Sequence, residues 1–409
     1  MKSLDIAIAG AGPGGLAAAL FLSRAGHRVR LLERFDQPQP IGSGLMLQPT
    51  GLAALHALGL YRQIAALGAP IDRLVGTDAR SGRKVLEVRY GRLGPNQRAL
   101  GVHRAALFGV LHDAVVVAKL PVRTGYTVTE LQRDKRKSWL LSPQGLEGPF
   151  DLVVDALGAL SPLQRFARAQ SRVRPLEYGA IWGTTPWTDT GFDRQALTQR
   201  YRQSSVMIGV MPAGRQRADG PELAAFFWSL KPAEHAAVLQ RGFAAWRQDV
   251  EAHWPATAPH LDAVGDLSRM TLARYQHHTL PVPSGEGIAF IGDSAHSTSP
   301  QLGQGANMAL LDGAALTAAI GAADSIDEAL GRYAAMRRWH VRLYQLLSLT
   351  LTPFYQSDSA MMPVLRDILV SSFGRIPPMP LVLAGMVSGR LLSPLKAIGL
   401  EPAPLGELR

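Results

Sequence analysis

The most restrictive feature of this sequence is a glycine-rich turn between two apolar runs near its amino end. Residues 4–9 have the length of a buried strand and lead into the turn G-A-G-P-G-G at residues 10–15, after which residues 16–25 have helical character. A second apolar run, residues 28–32, ends on Glu33, 18 positions after Gly15. A strand, a GxGxxG turn, a helix, a second strand and an acid in this order predict a dinucleotide-binding unit.

Each glycine of the turn meets a separate demand of a bound dinucleotide. Gly10 permits the tight turn, Gly12 lets a pyrophosphate approach the backbone, and Gly15 lets the helix and strand pack closely. At the start of the helix that follows, unpaired N–H groups and the helix dipole favour phosphate. A glycine turn without a ligand is the alternative. The two flanking strands, and an acid able to bind ribose hydroxyls, favour dinucleotide binding.

Composition bounds the class of protein. With 409 residues, 47% of them hydrophobic and 18% charged, the chain is expected to be globular, with two or three domains or one large interleaved unit. The absence of cysteine excludes disulfides, thiolate metal sites and cysteine nucleophiles, and it fits a reducing compartment. A net charge of +11 suits nucleic acid, anionic lipid or an anionic ligand. The arginines are scattered rather than clustered with aromatics, so we expect no nucleic-acid partner.

The sequence also bears on localisation. It does not open with a stretch of signal-peptide form, and no apolar run reaches the roughly 18–20 residues of a spanning helix. We therefore expect a cytoplasmic protein. Residues 352–400 are apolar with scattered arginine, which suits either a packed helical layer, which we favour, or a helix lying peripherally on a membrane of anionic lipid.

Between its ends the chain alternates helical and extended patterns. Residues 75–90 predict a hairpin, residues 180–230 a sheet, and residues 233–253 a helix. Ser325 and Glu328 form a capping box for a later helix.

A second motif, made of glycines and polar residues with one alanine and one proline, follows an apolar run at residues 287–291. It comprises Gly292, Asp293, Ala295, His296, Pro300, Gly303, Gln304, Gly305, Asn307 and Asp312. A carboxylate at a strand end can bind a sugar hydroxyl or a ribityl chain. Glycines beside a helix N-terminus let a flat ring lie against bare N–H groups, as a reduced flavin with negative charge on its pyrimidine edge requires. An ordinary loop–helix junction is the alternative interpretation.

Together these motifs resemble the FAD-dependent aromatic hydroxylase superfamily, of which para-hydroxybenzoate hydroxylase is the best-known type. The resemblance covers roughly residues 4–350, and salicylate hydroxylase-like and ubiquinone-biosynthesis hydroxylases are the nearest types. It implies an α/β fold in which a Rossmann-type FAD-binding domain is interleaved with a β-sheet substrate domain, followed by C-terminal helices. The implied bounds are 1–70, 100–170 and 280–325 for FAD, 71–99 and 171–279 for the substrate sheet, and 326–409 for the helices.

The resemblance also implies roles for particular residues. Asp293 would hold the ribityl or sugar part of FAD, Pro300 would lie over the flavin ring, and Arg104 would reach the phosphate or ribityl region. Arg34 would stack near the adenine, although a solvated surface arginine fits it equally well. The full set of implied FAD-binding residues is Gly10, Gly12, Pro13, Gly14, Gly15, Glu33, Arg34, Gly44, Arg104, Asp293, Pro300, Gly303, Gln304, Gly305 and Asn307.

One position departs from the family pattern. Relatives carry Asp-Gly after the strand that precedes residue 157, and here the pair is Leu157-Gly158. In the family that aspartate supports FAD and nicotinamide binding, and a leucine side chain accepts no hydrogen bond. Asp155 lies two positions earlier, on the same strand face, and is a candidate to compensate. The departure therefore affects the expected binding and use of NAD(P)H, the reductant, more than the expected binding of FAD.

The histidines suggest neither a catalytic base nor a metal site. His296 within the second motif is expected to be structural. His277 and His278 are most simply an exposed pair, and without a suitably spaced carboxylate they predict no metal site. We name no catalytic side chain.

The resemblance implies an FAD-dependent monooxygenase. With NAD(P)H as co-substrate and O₂, such an enzyme oxygenates an aromatic or hydrophobic small molecule through a flavin C4a-hydroperoxide, by hydroxylation or epoxidation. Two alternatives remain: a flavin-dependent reductase or dehydrogenase on the same fold, and a non-catalytic FAD-binding accessory protein. The sequence does not specify the oligomeric state.

Overall fold

A computed structural model of the chain describes residues 2–37, 42–372, 374 and 376–407. The strands are β1 Asp5–Ala9, β2 Arg28–Leu32, β3 Gly44–Leu47, β4 Ala69–Ile71, β5 Arg73–Asp78, β6 Lys84–Arg89, β7 Ala99–His103, β8 Val122–Arg123, β9 Glu130–Asp134, β10 Lys137–Ser142, β11 Gly145–Phe150, β12 Leu152–Asp155, β13 Arg174–Pro175, β14 Gly179–Pro186, β15 Ala196–Arg202, β16 Val206–Arg215, β17 Glu222–Leu230, β18 Thr271–Ala273, β19 Gln276–His277, β20 Ser284–Gly285 and β21 Ile288–Phe290. The helices are α1 Pro13–Arg24, α2 Pro49–Ala57, α3 Tyr61–Leu67, α4 Arg104–Val117, α5 His235–His253, α6 Ala258–Val264, α7 Asp293–His296, α8 Gly305–Gly321, α9 Ile326–Tyr355, α10 Met362–Arg366 and α11 Met379–Val387.

The first of two large sheets has six strands in the order β20-β21-β12-β1-β2-β8. Its strands are parallel except for the antiparallel pair β20–β21. Because successive residues of a strand face opposite sides, Ile6 and Ile8 join one apolar core and Ala7 and Ala9 join another. Both faces are therefore covered, as a parallel sheet requires.

The helices α1 and α8 pack closely over this sheet. A side chain at Gly313 of α8 would lie 2.9 Å from the Cα atom of Ala18 in α1, so the glycine lets the two backbones approach. This contact joins the glycine turn near residue 10 to the second motif near residue 300, although the two are far apart in the chain.

The second large sheet has seven strands in the order β18-β14-β17-β16-β15-β5-β6. Its strand pairs are antiparallel except for β5–β15, which are parallel. The aromatic residues Phe226, Trp228 and Trp246 bury one face of this sheet against α5 and α6. The opposite face looks toward the six-stranded sheet and leaves space for ligands.

The carboxyl-terminal part is helical. The α9 helix begins at a Ser325 cap, where the Glu328 N–H donates to Ser325 Oγ across 3.2 Å, as the capping box predicts. It continues to Tyr355, and a π-helical turn at Asp367–Ser372 separates α10 from α11. In the part of the chain that the structure describes, no helix has the length and apolar content needed to cross a membrane.

The predicted fold class is confirmed: the molecule is α/β, with a parallel sheet and helices at the carboxyl end. The predicted hairpin is present as β5 and β6, and the predicted sheet as β14–β17. The predicted helix 233–253 is interrupted, because Gly242 adopts φ +80°. The expectation that His277 and His278 are exposed is wrong: they are 7% and 3% exposed. The division into three segments remains a prediction.

Candidate active site

A cavity of about 1010 Å³ runs between the two sheets. At one end it is lined by the glycine turn and by residues of the second motif. At the other end it is lined by the seven-stranded sheet and by α9 and α11. The two widely separated motifs therefore meet in one space.

The glycine turn folds as the sequence predicts. Gly10 has φ +102°, and a side chain there would lie 2.5 Å from the Ala156 carbonyl oxygen. At Gly15 a side chain would lie 2.0 Å from the Gly10 carbonyl oxygen. By contrast, a Cβ atom at Gly12 would meet nothing within 4 Å. Gly10 and Gly15 are thus required by the fold, whereas Gly12 leaves open space at the cavity wall.

The start of α1 is free to bind an anion. Gly12 is its N-cap, and none of the side chains that the structure describes accepts a hydrogen bond from the first turn. Pro13 and Gly14 line the cavity beside it. N–H groups at an uncapped helix start, with the positive end of the helix dipole, suit a phosphate.

Glu33 and Arg34 lie at the end of β2, beside this turn. Glu33 is 8% exposed and accepts hydrogen bonds from the N–H groups of Ala11, across 2.8 Å, and Phe35, across 3.1 Å. Its carboxylate therefore holds the turn in shape and also reaches the cavity. The Arg34 guanidinium lies 4.7 Å from the Phe35 ring centre and also lines the cavity.

A buried ionic network holds the Gly292-Asp293 turn. Asp312 Oδ2 accepts hydrogen bonds from the Gly292 N–H, across 2.8 Å, and from His296 Nε2, across 2.6 Å. Asp312 Oδ1 accepts a hydrogen bond from Arg337 Nε across 2.7 Å. Burial alone would raise the pKa of Asp312, but His296 and Arg337 together with the hydrogen bonds lower it to about 2. His296 therefore has a structural partner, as the sequence suggested.

This network leaves Asp293 facing the cavity. Its side chain is exposed to the cavity although it lies deep in the fold. Burial raises the pKa of this carboxyl, and the nearby His296 and Arg104 partly offset that effect. Arg104 lines the same stretch of wall as Gly44. A carboxylate and a guanidinium at this depth can bind sugar hydroxyls and phosphate.

The loop before α8 carries the remaining predicted residues. Pro300, Gly303, Gln304 and Gly305 line the cavity, and no side chain caps α8. Gln304 Nε2 donates to the Val387 carbonyl of α11 across 2.7 Å.

Asn307, in the first turn of α8, faces β3 instead of the cavity. It accepts a hydrogen bond from the Gln48 N–H across 2.8 Å and donates to the carbonyls of Met46 and Gly303. Like Gly15, it supports the site without lining it.

Asp155 does not line the cavity beside Leu157, because its carboxylate faces inward. It accepts hydrogen bonds from Ser161 Oγ across 2.5 Å and from the Leu157 N–H across 2.9 Å. Burial raises its pKa to about 6, and these hydrogen bonds limit the rise. The Leu157 side chain takes the place on the cavity wall.

The far end of the cavity is predominantly apolar. Its wall includes Leu86, Leu197, Met211, Phe227, Leu351 and Met386. Tyr201 and Tyr275 add hydroxyl groups, and Tyr201 donates to Gln199 Oε1 across 2.8 Å. A planar apolar molecule would be desolvated here.

The residues at the glycine-turn end fit FAD. The two uncapped helix starts supply N–H donors, and Gly12 leaves room for a pyrophosphate. Thr298 Oγ1 and Gln301 Nε2 on the same wall are buried without a hydrogen-bond partner in the part of the chain that is described. Buried polar atoms normally have partners, so these atoms suit a polar ligand. The residue assignments themselves remain predictions.

Two features of the site were not found from the sequence. Arg337, far along α9, anchors the Gly292-Asp293 turn through Asp312, and its only sequence signal is an arginine among apolar residues. Tyr275 lies between strands with no motif of its own. In the described residues, no cluster of histidine and carboxylate side chains could hold a metal ion.

Comparison with known proteins agrees with this geometry. Residues 3–141 match a family described as an FAD binding domain. A putative 2-heptyl-3-hydroxy-4(1H)-quinolone synthase of Rhodococcus erythropolis is 27% identical over 83% of this chain and 86% of its own length. An FAD-dependent urate hydroxylase of Klebsiella pneumoniae is 25% identical over 84% of this chain and 87% of its own. The crystal structure of Klebsiella pneumoniae HpxO with FAD and uric acid has a TM-score of 0.80 and 22% identity, covering 96% of this chain and 98% of its own.

The fold and the site define a flavin-dependent oxidoreductase. Residues 3–141 match an FAD binding domain, and over most of its length the chain is similar to FAD-dependent hydroxylases. It is an FAD-dependent monooxygenase. FAD is its cofactor, and NAD(P)H is the co-substrate typical of the family.

Proposed function

We propose that this monooxygenase hydroxylates or epoxidises a planar aromatic molecule that is mostly apolar. The observation that carries the proposal is the continuity of the cavity. The same space that is lined by Gly12 and Asp293 extends, without a protein wall, to Met211 and Phe227. A substrate at the apolar end would therefore lie beside a flavin held at the other end.

The electrons of NAD(P)H and the activation of O₂ are the chemistry that bound FAD would supply. This chain's own residues bind, orient and desolvate. Gly12 and the start of α1 would hold the pyrophosphate, Glu33 the adenosine ribose, and Asp293 the ribityl hydroxyls. Backbone N–H groups near Gly303 and Gly305 would face the flavin's electron-rich edge. The apolar wall would exclude the water that competes with the substrate for activated oxygen.

The names of the relatives support a planar heteroaromatic substrate. One is named for a heptyl-substituted quinolone, another for urate, and a third for phenazine 1,6-dicarboxylic acid. The wall of this cavity is rich in leucine, methionine and aromatic side chains. It is therefore better matched to an alkyl quinolone than to the polar urate ring.

The test is coupled turnover. Purified FAD-loaded protein, mixed anaerobically with NADH or NADPH, should lose its yellow flavin absorbance. On admission of O₂ with an alkyl quinolone, NAD(P)H and O₂ should be consumed in equal amounts, with one oxygen atom from ¹⁸O₂ in the product. If ¹⁸O is not incorporated into any aromatic substrate while reduction proceeds normally, the proposal is wrong.

A flavin-dependent dehydrogenase is the second candidate, and Leu157 favours it, because an apolar side chain lies where the family has an aspartate. A dehydrogenase would turn over its organic substrate under anaerobic conditions with an artificial electron acceptor, and it would leave no ¹⁸O in the product. An accessory flavoprotein would show neither activity, and its FAD would not be reduced by either nicotinamide.

We further propose that the protein lies on anionic lipid through the outer face of α9, made of Arg338, Trp339, Arg342, Leu346 and Leu349. Trp339, Leu346 and Leu349 are 64%, 57% and 43% exposed. The Arg342 guanidinium lies 5.7 Å from the Trp339 ring centre. Exposed tryptophan and leucine beside arginine are typical of helices at a lipid surface.

The charge around this face favours anionic lipid as its partner. The sequence has no Asp or Glu between Glu328 and Asp358, and the net charge of the chain is +11. The opposite side of α9 lines the cavity at Leu351 and Tyr355, so this contact would place the cavity about one helix diameter, roughly 10 Å, from the lipid surface.

Vesicles test this contact. The protein should sediment with phosphatidylglycerol vesicles but not with phosphatidylcholine vesicles, and added salt should weaken the binding. The double variant Trp339→Ser, Leu346→Ser should lose binding. Val117→Ser on α4, where the valine is 82% exposed, is the matched control. If light scattering shows instead a dimer that the double variant dissociates, this face is a subunit interface.

A further inference from the structure

We propose that the Tyr275 hydroxyl is the hydrogen-bond donor that selects substrates with an oxygen acceptor on the ring. This inference deepens the proposed function and rests on it. It names a feature of the substrate that neither the apolar wall nor the comparisons specify.

A hydrogen bond from Trp182 sets the orientation of the Tyr275 hydroxyl. Trp182 Nε1 donates to the Tyr275 hydroxyl oxygen across 2.8 Å. An indole N–H can only donate, so the tyrosine oxygen is the acceptor in this bond and its own proton points elsewhere. Among the residues that the structure describes, no group accepts that proton. Tyr275 is half-buried and lines the cavity, so the proton is directed there.

Trp182 is itself held firmly. It lies directly opposite Phe227 on the neighbouring strand, and the two ring centres are 4.6 Å apart. Phe227 is 4% exposed and belongs to β17 of the seven-stranded sheet. The indole therefore has little freedom to turn, and it fixes the tyrosine oxygen.

Tyr275 lies at the junction of the two parts of the cavity. The next residue, Gln276, donates through Nε2 to the Ala159 carbonyl across 2.8 Å, in the loop that follows Leu157. On the other side Tyr275 touches the substrate sheet through Trp182. A ligand ring that lies between the flavin end and the apolar end would be within reach of this hydroxyl.

The hydroxyl is a donor at all ordinary pH values. Burial raises the pKa of Tyr275 to about 12, and Trp182 and Arg104 limit the rise. A neutral O–H in an apolar wall pairs with a ring carbonyl or a phenolate oxygen. A ring that lacks such an oxygen would leave the hydroxyl unpaired, at a cost.

A pair of probes tests this. We would measure binding of 4(1H)-quinolone and of quinoline, which lacks the ring carbonyl, to the oxidised FAD-loaded protein, following the change in flavin absorbance. The wild-type protein should favour the quinolone by about tenfold. Tyr275→Phe should abolish this preference while leaving quinoline affinity unchanged. Trp182→Phe, which keeps the hydroxyl but frees its orientation, should reduce the preference in part.

Several outcomes would overturn the proposal: a wild-type protein that binds neither probe or shows no preference, or a Tyr275→Phe variant that keeps the preference or loses both ligands equally. A changed flavin reduction potential in that variant, with the preference intact, would assign the hydroxyl to the flavin. Because the assay measures binding without turnover, its outcome is separate from the ¹⁸O experiment, which tests oxygenation.

Discussion

Arg337 and Asp312 form an ion pair, with Nε and Oδ1 2.7 Å apart and each side chain 1% exposed. They belong to successive helices, α9 and α8. The other oxygen of Asp312 holds the Gly292 N–H. A residue of α9 therefore determines the shape of the turn that presents Asp293 to the cavity.

Replacing Arg337 should destabilise the whole protein. We expect Arg337→Met to lower the free energy of unfolding by about 3–5 kcal/mol, because Asp312 would remain buried with one charge partner fewer. Urea unfolding measures this. Arg338→Met is the matched control, one position along on the exposed face, and should change stability by less than about 0.5 kcal/mol. Similar losses for the two variants would contradict the importance of the pair.

Substitutions at two glycines of the turn should have different effects, one on FAD binding and the other on the stability of the fold. Gly12 has φ −69° and ψ 173°, which any residue adopts, and a side chain there meets only open space. Gly12→Val should therefore fold with near-normal apoprotein stability but retain far less FAD. Gly15→Ala places a methyl group against the Gly10 carbonyl and should destabilise the fold itself. Calorimetry of the apoproteins and the ratio of bound flavin to protein separate the two effects. Gly109→Ala on α4 is the control.

The Leu157 position should affect reduction more than cofactor binding. We expect Leu157→Asp to keep FAD bound and to be reduced faster by NAD(P)H, because it restores a polar group on the cavity wall. Anaerobic stopped-flow measurement of flavin bleaching gives the rate. Leu157→Asn separates polarity from charge. An unchanged rate in both variants would show that this residue does not limit reduction.

Asp155 should make stability depend on pH. Its native pKa of about 6 lies above the unfolded value of 3.8, so the native state binds the proton more tightly. Its contribution is fully present below pH 3.8 and is lost as the pH rises through about 6. Relative to wild type, Asp155→Asn should therefore gain stability between pH 4 and pH 8, by up to roughly 3 kcal/mol. Urea unfolding at both pH values, with excess FAD, measures the gain, and a constant difference would refute the assignment.

The sequence was most informative where structure is local. The turn at residues 10–15 and the capping box at Ser325 depend on neighbouring residues, and both are found as predicted. The hairpin of β5 and β6 was also predicted, but its parallel pairing with β15 depends on residues far away in the chain.

The errors and omissions arise from long-range packing. His277 is buried because Gln345 of α9 lies against it, with Nδ1 and Oε1 3.2 Å apart, and no local pattern shows that this helix packs there. The roles of Arg337 and Tyr275 likewise depend on partners far away in the chain. Asp155 was predicted to compensate for Leu157, and only the fold shows that its carboxylate faces Ser161.

The order in which the chain is synthesised gives the cavity a further consequence. The glycine turn of its first wall leaves the ribosome well before the Asp293 turn and before Val387 of α11, which lies over Gln304. A growing chain thus exposes the uncapped start of α1 long before the rest of the cavity wall has been made. We expect FAD to be retained only once the chain has been made beyond Val387, so that cofactor loading reports that both walls of the cavity are in place.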